Sequence, residues 1–158
     1  MLHPINPYNP SYYSHKNKHA GLSYEIGVSL AESKIVWFSG PWPAGMTDST
    51  IYKEKGLEAK IPATCAGVAD GGYPSYRKGQ PLSSNKLVAA NSQDTEEVRR
   101  FKALARARHE TLNKRLKRFR CLLDRFRHSP LDKHEPVFTA VCVIVQYQMD
   151  LGQPLFEI

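Results

Sequence analysis

The sequence predicts a mixed α/β fold, and three patterns along the chain carry that prediction. Residues 22–30 alternate apolar and polar side chains, which is the period of a half-buried strand. Residues 94–122 repeat apolar side chains at the spacing of an amphipathic helix. Residues 137–145 form an uncharged, largely apolar run behind Pro136, which favours a buried helix because proline is tolerated in a first turn.

Length and composition indicate a single domain over residues 1–158. The chain has 158 residues with 41% hydrophobic and 23% charged side chains, close to the average of globular domains. Its longest uncharged apolar run is far shorter than the ~20 residues of a membrane span, so we expect a soluble intracellular protein without membrane contact. The three cysteines show no zinc-binding spacing, and we expect them to be reduced and buried.

The first third of the chain predicts an arm followed by a hairpin. Residues 1–14 contain closely spaced prolines and are predicted to form an extended arm. The strand at 22–30 and a β-rich run at 35–38 flank a polar turn, which is typical of an antiparallel hairpin. Residues 40–43 are expected to end it, because they combine glycine with two prolines.

The middle of the chain predicts a short helix and two short strands. Thr47 or Asp48 caps an amphipathic helix that ends near Gly56. Residues 65–70 read as a buried strand that ends at Asp70, and a minor strand is expected around residues 87–89.

The long helix is predicted to begin at Asp94, with Glu97 completing a capping box, and to run to about Leu122. The apolar face of this helix is expected to contain Val98, Phe101, Ala105, Leu112, Leu116, Phe119 and Leu123. The opposite face is expected to contain Arg106, Glu110, Asn113, Lys114 and Lys117.

The positive charge of the chain is concentrated in one stretch that overlaps this helix. Residues 99–127 contain 12 Lys and Arg against two acids, a net charge of +10, whereas the whole chain carries +7. A polyanion such as nucleic acid is the natural partner of that stretch, and a solvated helix face is the alternative.

Two acidic residues stand apart from the others as candidate metal ligands. Asp70 precedes two glycines at the end of a predicted strand, and Glu110 lies inside the basic stretch. Carboxylates on separate elements can hold two divalent metals for phosphodiester hydrolysis. The alternatives are a turn at Asp70 and a surface ion pair between Glu110 and Lys114.

Several motifs together resemble the DDE-superfamily endonuclease domain of PIF/Harbinger-type transposases. The segments that carry the resemblance are residues 13–16, 22–38, 45–48, 51–52, 68–73, 106–117 and 140–148. They follow the family order over nearly the whole chain, so no single motif decides the match.

The resemblance implies a ribonuclease-H-like fold whose three acids bind two divalent metals, Mg²⁺ or Mn²⁺, and cut or join DNA. Asp70 matches the second acid and Glu110 the third, and both are expected to be catalytic metal ligands. Asp48 matches a recurrent aspartate outside the metal-binding set, to which we assign a helix cap. Three basic residues near Glu110 are expected to contact the DNA backbone, namely Arg106, Lys114 and Lys117.

The resemblance further implies that the protein acts in the nucleus, and it allows an accessory DNA-binding protein as a partner. The oligomeric state is left open. The first acid belongs to a strand before the proline arm, and no residue here matches it. We therefore expect a domain that lacks its first strand and is N-terminally truncated. The alternatives are a catalytically dead remnant that binds DNA or protein, and a chain that does not fold stably alone.

Other catalytic classes lack their motifs in this sequence. The six histidines form no HExxH pair, and neither a glycine-rich phosphate loop nor a GxSxG elbow occurs. Zinc, nucleotide-binding and serine-hydrolase functions are therefore disfavoured.

Overall fold

A computed structural model describes residues 9–54, 57–69, 86–124 and 131–158 of the chain. These residues contain both helices and strands, which confirms the predicted mixed α/β class. The predicted strand end at Asp70 lies outside the described residues.

The described part of the predicted N-terminal arm is folded back rather than extended throughout. Pro10–Tyr12 form a 3-10 turn, which begins where the Asn9 side chain accepts a hydrogen bond from the Ser11 backbone N–H at 3.0 Å. Strand β1 (Tyr13–Ser14) then pairs antiparallel with strand β2 (His19–Ala20). The first eight residues of the arm lie outside the described ranges.

The predicted hairpin is confirmed, with a longer second strand than expected. Strand β3 (Leu22–Val28) pairs antiparallel with strand β4 (Ile35–Pro43), so the expected end at 40–43 is wrong. Gly40 has a φ of +140°, and a Cβ there would lie 2.6 Å from Cδ1 of Tyr24. The strand continues because glycine tolerates both this conformation and this close approach, next to a shift in register.

Two short helices and two short strands follow. Helix α1 (Asp48–Glu54) and helix α2 (Leu57–Lys60) occupy the region of the predicted short helix. Strand β5 (Gly67–Val68) pairs parallel with strand β6 (Leu87–Val88). The strand expected at 65–70 is thus represented by two residues in its described part.

Helix α1 corrects the role expected for Asp48. The Thr47 hydroxyl oxygen accepts the Thr50 backbone N–H at 3.2 Å, so Thr47 is the cap. Asp48 is the first helical residue instead, where its negative charge faces the positive end of the helix dipole.

The long helix ends earlier than its apolar pattern predicts. Helix α3 spans Glu96–Leu116, and a separate turn, helix α4 (Arg120–Leu123), follows it. Phe119 between them is extended, with φ −80° and ψ 111°, which interrupts the helical backbone. Val98, Phe101 and Leu123 are exposed, which corrects their placement on the buried face.

The C-terminal apolar run is a helix, as its length and Pro136 predict. Helix α5 spans His134–Asp150, and its buried residues recur at helical spacing. They pack with the end of α3 in one core cluster. The buried members of that cluster are Leu112, Leu116, Phe138, Val141, Cys142, Val145, Met149 and Leu155.

The cysteines are all free, but two of them are not buried. Cys142 lies in the core cluster, whereas Cys65 and Cys121 are exposed. The expectation of buried thiols is therefore wrong for Cys65, which lies in the loop before β5, and for Cys121, which lies in the short helix α4 that has no buried residue.

The chain divides into two compact units. The first contains Met1–Met46 with His109–Glu157, and the second contains Thr47–Arg108. In the described residues the strands pair as three two-stranded sheets, β1 with β2, β3 with β4 and β5 with β6. The expected single domain and the expected missing central strand stay predictions.

Candidate functional site

Helix α3, which holds Glu110, begins with a cap one residue later than predicted. The Val98 backbone N–H lies 3.4 Å from the Thr95 hydroxyl oxygen, so Thr95 is the capping residue rather than Asp94. Glu96 and Glu97 occupy the first turn, and Lys114 and Arg115 the last. These charges complement the helix dipole at both ends.

Asp94 instead anchors the start of α3 through an ion pair. Lys102 is 8% exposed, and its Nζ lies 2.9 Å from both carboxylate oxygens of Asp94 and 2.9 Å from the Ala89 carbonyl oxygen. Hydrogen bonding from Lys102 holds the pKa of Asp94 below its usual value. A lysine in the basic stretch is therefore used to fix the helix to the preceding loop.

Glu110 lies on the exposed side of α3, where the helical periodicity predicts it. Within the described ranges its carboxylate makes neither a hydrogen bond nor an ion pair. The surface ion pair with Lys114, which the sequence leaves open as an alternative, is not formed. The carboxylate therefore faces solvent with its oxygens available to a ligand.

Two of the three basic residues expected to contact DNA lie in α3, and the third follows directly after it. Arg106 lies one turn before Glu110, Lys114 lies one turn after it, and Lys117 follows the last helical residue. All three are exposed. Positions four residues apart are neighbours on a helix, so Arg106 and Lys114 flank Glu110 along α3.

His109 and Asn113 form a polar contact on α3 that the sequence does not single out. The Nε2 of His109 lies 3.1 Å from the carbonyl oxygen of Ile26 in β3. The Nδ2 of Asn113 lies 3.3 Å from the Nδ1 of the same ring. The spacing of His109 and Asn113 by four residues is the available signal, but it does not name the distant carbonyl.

No metal site is found among the described residues. Among them, no group of three or more His, Cys, Asp or Glu lies close enough together to hold an ion. Glu110 offers one carboxylate, which is the hard oxygen ligand that divalent Mg²⁺ and Mn²⁺ take. Asp70, the other expected ligand, lies outside the described residues, so its distance to Glu110 stays a prediction.

Comparison with known proteins gives one match. A family model described as "DDE superfamily endonuclease" matches residues 4–146, which includes Asp70, Glu110 and the three basic residues. No curated protein and no solved structure matches the chain. None of the helices in the described ranges is long and apolar enough to cross a membrane.

Proposed function

The chain belongs to the DDE superfamily endonucleases, and from that membership we propose that it is a divalent-metal-dependent DNA nuclease or transposase domain of the PIF/Harbinger type. The family match over residues 4–146 carries the proposal. The proposal includes a ribonuclease-H-like fold and DNA in the nucleus as the substrate. It also allows an accessory DNA-binding protein as a partner.

Glu110 and Asp70 are the proposed metal ligands. The carboxylate of Glu110 is exposed on a regular helix and has no partner among the described residues, which leaves both oxygens open to a cation. Two divalent metals, Mg²⁺ or Mn²⁺, supply activation of a water or 3′-hydroxyl and stabilisation of the leaving oxygen.

Arg106, Lys114 and Lys117 are the proposed DNA contacts. Their side chains are exposed, and Arg106 and Lys114 lie one turn before and one turn after Glu110 in α3. Contacts from such cations to phosphate fix the register of the duplex but carry no sequence information. Their role is therefore to hold the backbone where the carboxylates can act on it.

The test compares nicking of a supercoiled plasmid in Mg²⁺ or Mn²⁺ by the wild-type chain, Asp70→Asn and Glu110→Gln. Each substitution keeps the side-chain shape but removes a charged ligand. Because loss of a residue behind a ligand already costs about 10 to 100-fold, loss of the ligand itself should reduce nicking by about 100-fold or more.

Glu97→Gln is the matched control, because Glu97 is an exposed acid in the first turn of the same helix. It should nick at the wild-type rate. Wild-type nicking by Glu110→Gln contradicts the proposal. A wild-type chain that binds DNA without metal-dependent nicking supports the second candidate, a catalytically dead remnant that keeps a DNA-binding surface.

A further inference from the structure

The His109 ring connects the turn that contains Glu110 to the hairpin. A carbonyl oxygen only accepts hydrogen bonds, so the 3.1 Å contact with Ile26 requires the proton on Nε2 of His109. The Nδ1 of His109 then carries a lone pair, which accepts the Asn113 amide at 3.3 Å. One tautomer satisfies both contacts, and the two together fix the orientation of the ring.

Both ends of this connection are held by packing. Ile26 packs against the core cluster, and Leu112, three residues beyond His109, is fully buried in it. Protein interiors are densely packed and rigid, so the Ile26 carbonyl is a firm reference point for the helix. The hydrogen bond from His109 sets how this turn of α3 lies against β3.

Glu110 has no such restraint of its own. Within the described ranges its side chain has no hydrogen-bond or ion-pair partner, so the protein fixes its position through the backbone of its turn. Catalytic constellations need placement within about 0.5 Å, and a misplacement of about 1 Å can cost about 100-fold in rate.

We propose that His109, oriented by Asn113, is a positioning residue that sets the turn of α3 on which Glu110 binds a divalent metal. This inference rests on the proposed function. If the hydrogen bond from His109 only stabilised the fold, its loss would lower the free energy of unfolding without a specific effect on metal binding at Glu110. A positioning residue affects metal binding at that carboxylate beyond what the loss of stability explains.

The experiment measures Mn²⁺ binding through paramagnetic broadening of the Glu110 side-chain carboxyl carbon signal, together with kcat and KM for plasmid nicking. His109→Leu removes the tether and keeps apolar bulk. We expect it to weaken Mn²⁺ binding at Glu110 by about 10-fold or more, as for other residues behind a metal ligand. We expect kcat to fall while KM for DNA stays unchanged, because the DNA-binding cations are intact.

His109→Gln is the conservative variant, because its side-chain amide can still donate to the Ile26 carbonyl. It should recover most of the Mn²⁺ binding that His109→Leu loses. Gln146→Ala is the matched stability control. Gln146 accepts the Ile35 backbone N–H at 2.9 Å and donates to the Ser33 carbonyl at 2.9 Å. Its loss should destabilise the hairpin contact without weakening Mn²⁺ binding.

Wild-type Mn²⁺ binding and kcat in His109→Leu overturn the inference, and so does an equal loss in Gln146→Ala at equal stability. Should His109→Leu fail to fold, Asn113→Ala provides the same test, because it frees the ring while keeping its tether. No loss in Asn113→Ala then overturns the inference. If Mn²⁺ does not broaden Glu110 in the wild type, or Glu110→Gln nicks normally, the proposed function itself fails.

Discussion

His134, at the start of α5, is a buried histidine whose neighbours favour its neutral form. It is 8% exposed, and its Nδ1 lies 2.8 Å from the Tyr24 hydroxyl oxygen. The Tyr24 ring stacks on Phe138, with ring centroids 3.7 Å apart. Burial lowers the pKa of His134, while burial and then the charge of Glu135 raise the pKa of Tyr24. Both shifts favour the uncharged form of each group at neutral pH.

The lowered pKa of His134 predicts that the folded protein is less stable in mild acid than at neutral pH. Because the pKa of His134 is lower in the folded than in the unfolded chain, the unfolded chain binds its proton first as the pH falls below about 6.5. The free energy of unfolding should therefore decrease from that pH down to the folded-state pKa, by at most about 1.4 kcal/mol per pH unit from this residue. Above about pH 7 His134 is neutral in both states, so its titration no longer changes the free energy of unfolding. Urea unfolding across this range measures the slope.

His134→Gln isolates that slope from the five other histidines, because glutamine keeps a polar side chain but does not titrate. The variant should lose part of the acid sensitivity of the wild type, although it is less stable at neutral pH. Identical slopes in the two proteins contradict the prediction, since His134 would then bind its proton equally well in both states.

At the scale of single residues, the sequence predicts which acid of α3 faces solvent but not which cations are buried. Helical spacing alone puts Glu110 on the exposed side. Lys102 and Arg108, which belong to the basic stretch 99–127, are 8% and 1% exposed. The burial of Lys102 depends on the Asp94 carboxylate and the Ala89 carbonyl, and their position follows from a loop conformation that periodicity does not specify.

At the scale of elements, two contributions stabilise the start of α1 and can be measured separately. One is the hydrogen-bonding cap at Thr47, and the other is the charge of Asp48. Thr47→Ala removes the oxygen that accepts the Thr50 N–H, and should lower the stability of α1 by about 1 kcal/mol at any salt concentration. Asp48→Asn removes only the charge at the positive end of the helix dipole. It should cost about 0.3 to 1 kcal/mol in low salt and less in high salt.

Amide hydrogen exchange within α1 measures both effects, because it reports local opening of this short helix. Measuring Asp48→Asn at both low and high salt provides the control, because salt screens a charge effect but not a hydrogen-bonding cap. Equal losses for the two variants at high salt would mean that Asp48 caps the helix, in agreement with the sequence-based assignment and against the structure.

Elements with a strong local pattern are predicted well, and those set by distant contacts are not. The structure confirms the strand that the alternation predicts at β3 and the helix that the apolar run predicts at α5. The end of α3 at Leu116 is missed, because no glycine or proline marks it. There the chain turns so that Phe119 and Leu122 pack against the core cluster, a contact that local sequence does not encode.

At the scale of the whole molecule, family membership and geometry come from different information. The family match spans residues 4–146 and depends on the order of the amino acids alone, not on any distance between residues. The partners of the hairpin strands and the separation of Asp70 from Glu110 depend on pairing between remote segments. For this reason Glu110 can be placed on its helix, while the ribonuclease-H-like arrangement stays a prediction.

The distribution of charge over the chain predicts a salt-sensitive interaction with DNA. The chain carries a net charge of +7, and residues 99–127 account for +10. Each phosphate that a cation neutralises releases counterions and adds about 0.9 to the slope of log affinity against log salt. The triple variant Arg106→Gln, Lys114→Gln and Lys117→Gln should therefore reduce that slope by about 2.7, and weaken binding to all duplex sequences alike.

Fluorescence anisotropy with two unrelated duplexes at several salt concentrations measures the slope, in EDTA so that no strand is cut. Lys34→Gln is the control, because Lys34 is exposed and paired with Glu32 on the hairpin turn. It removes one positive charge from the chain but no proposed phosphate contact, so its slope should equal that of the wild type. A wild-type slope in the triple variant would show that these three cations do not contact phosphate, and that the surface around Glu110 is not where DNA binds. A loss confined to one duplex would indicate base recognition instead, which three flexible, exposed cations do not provide.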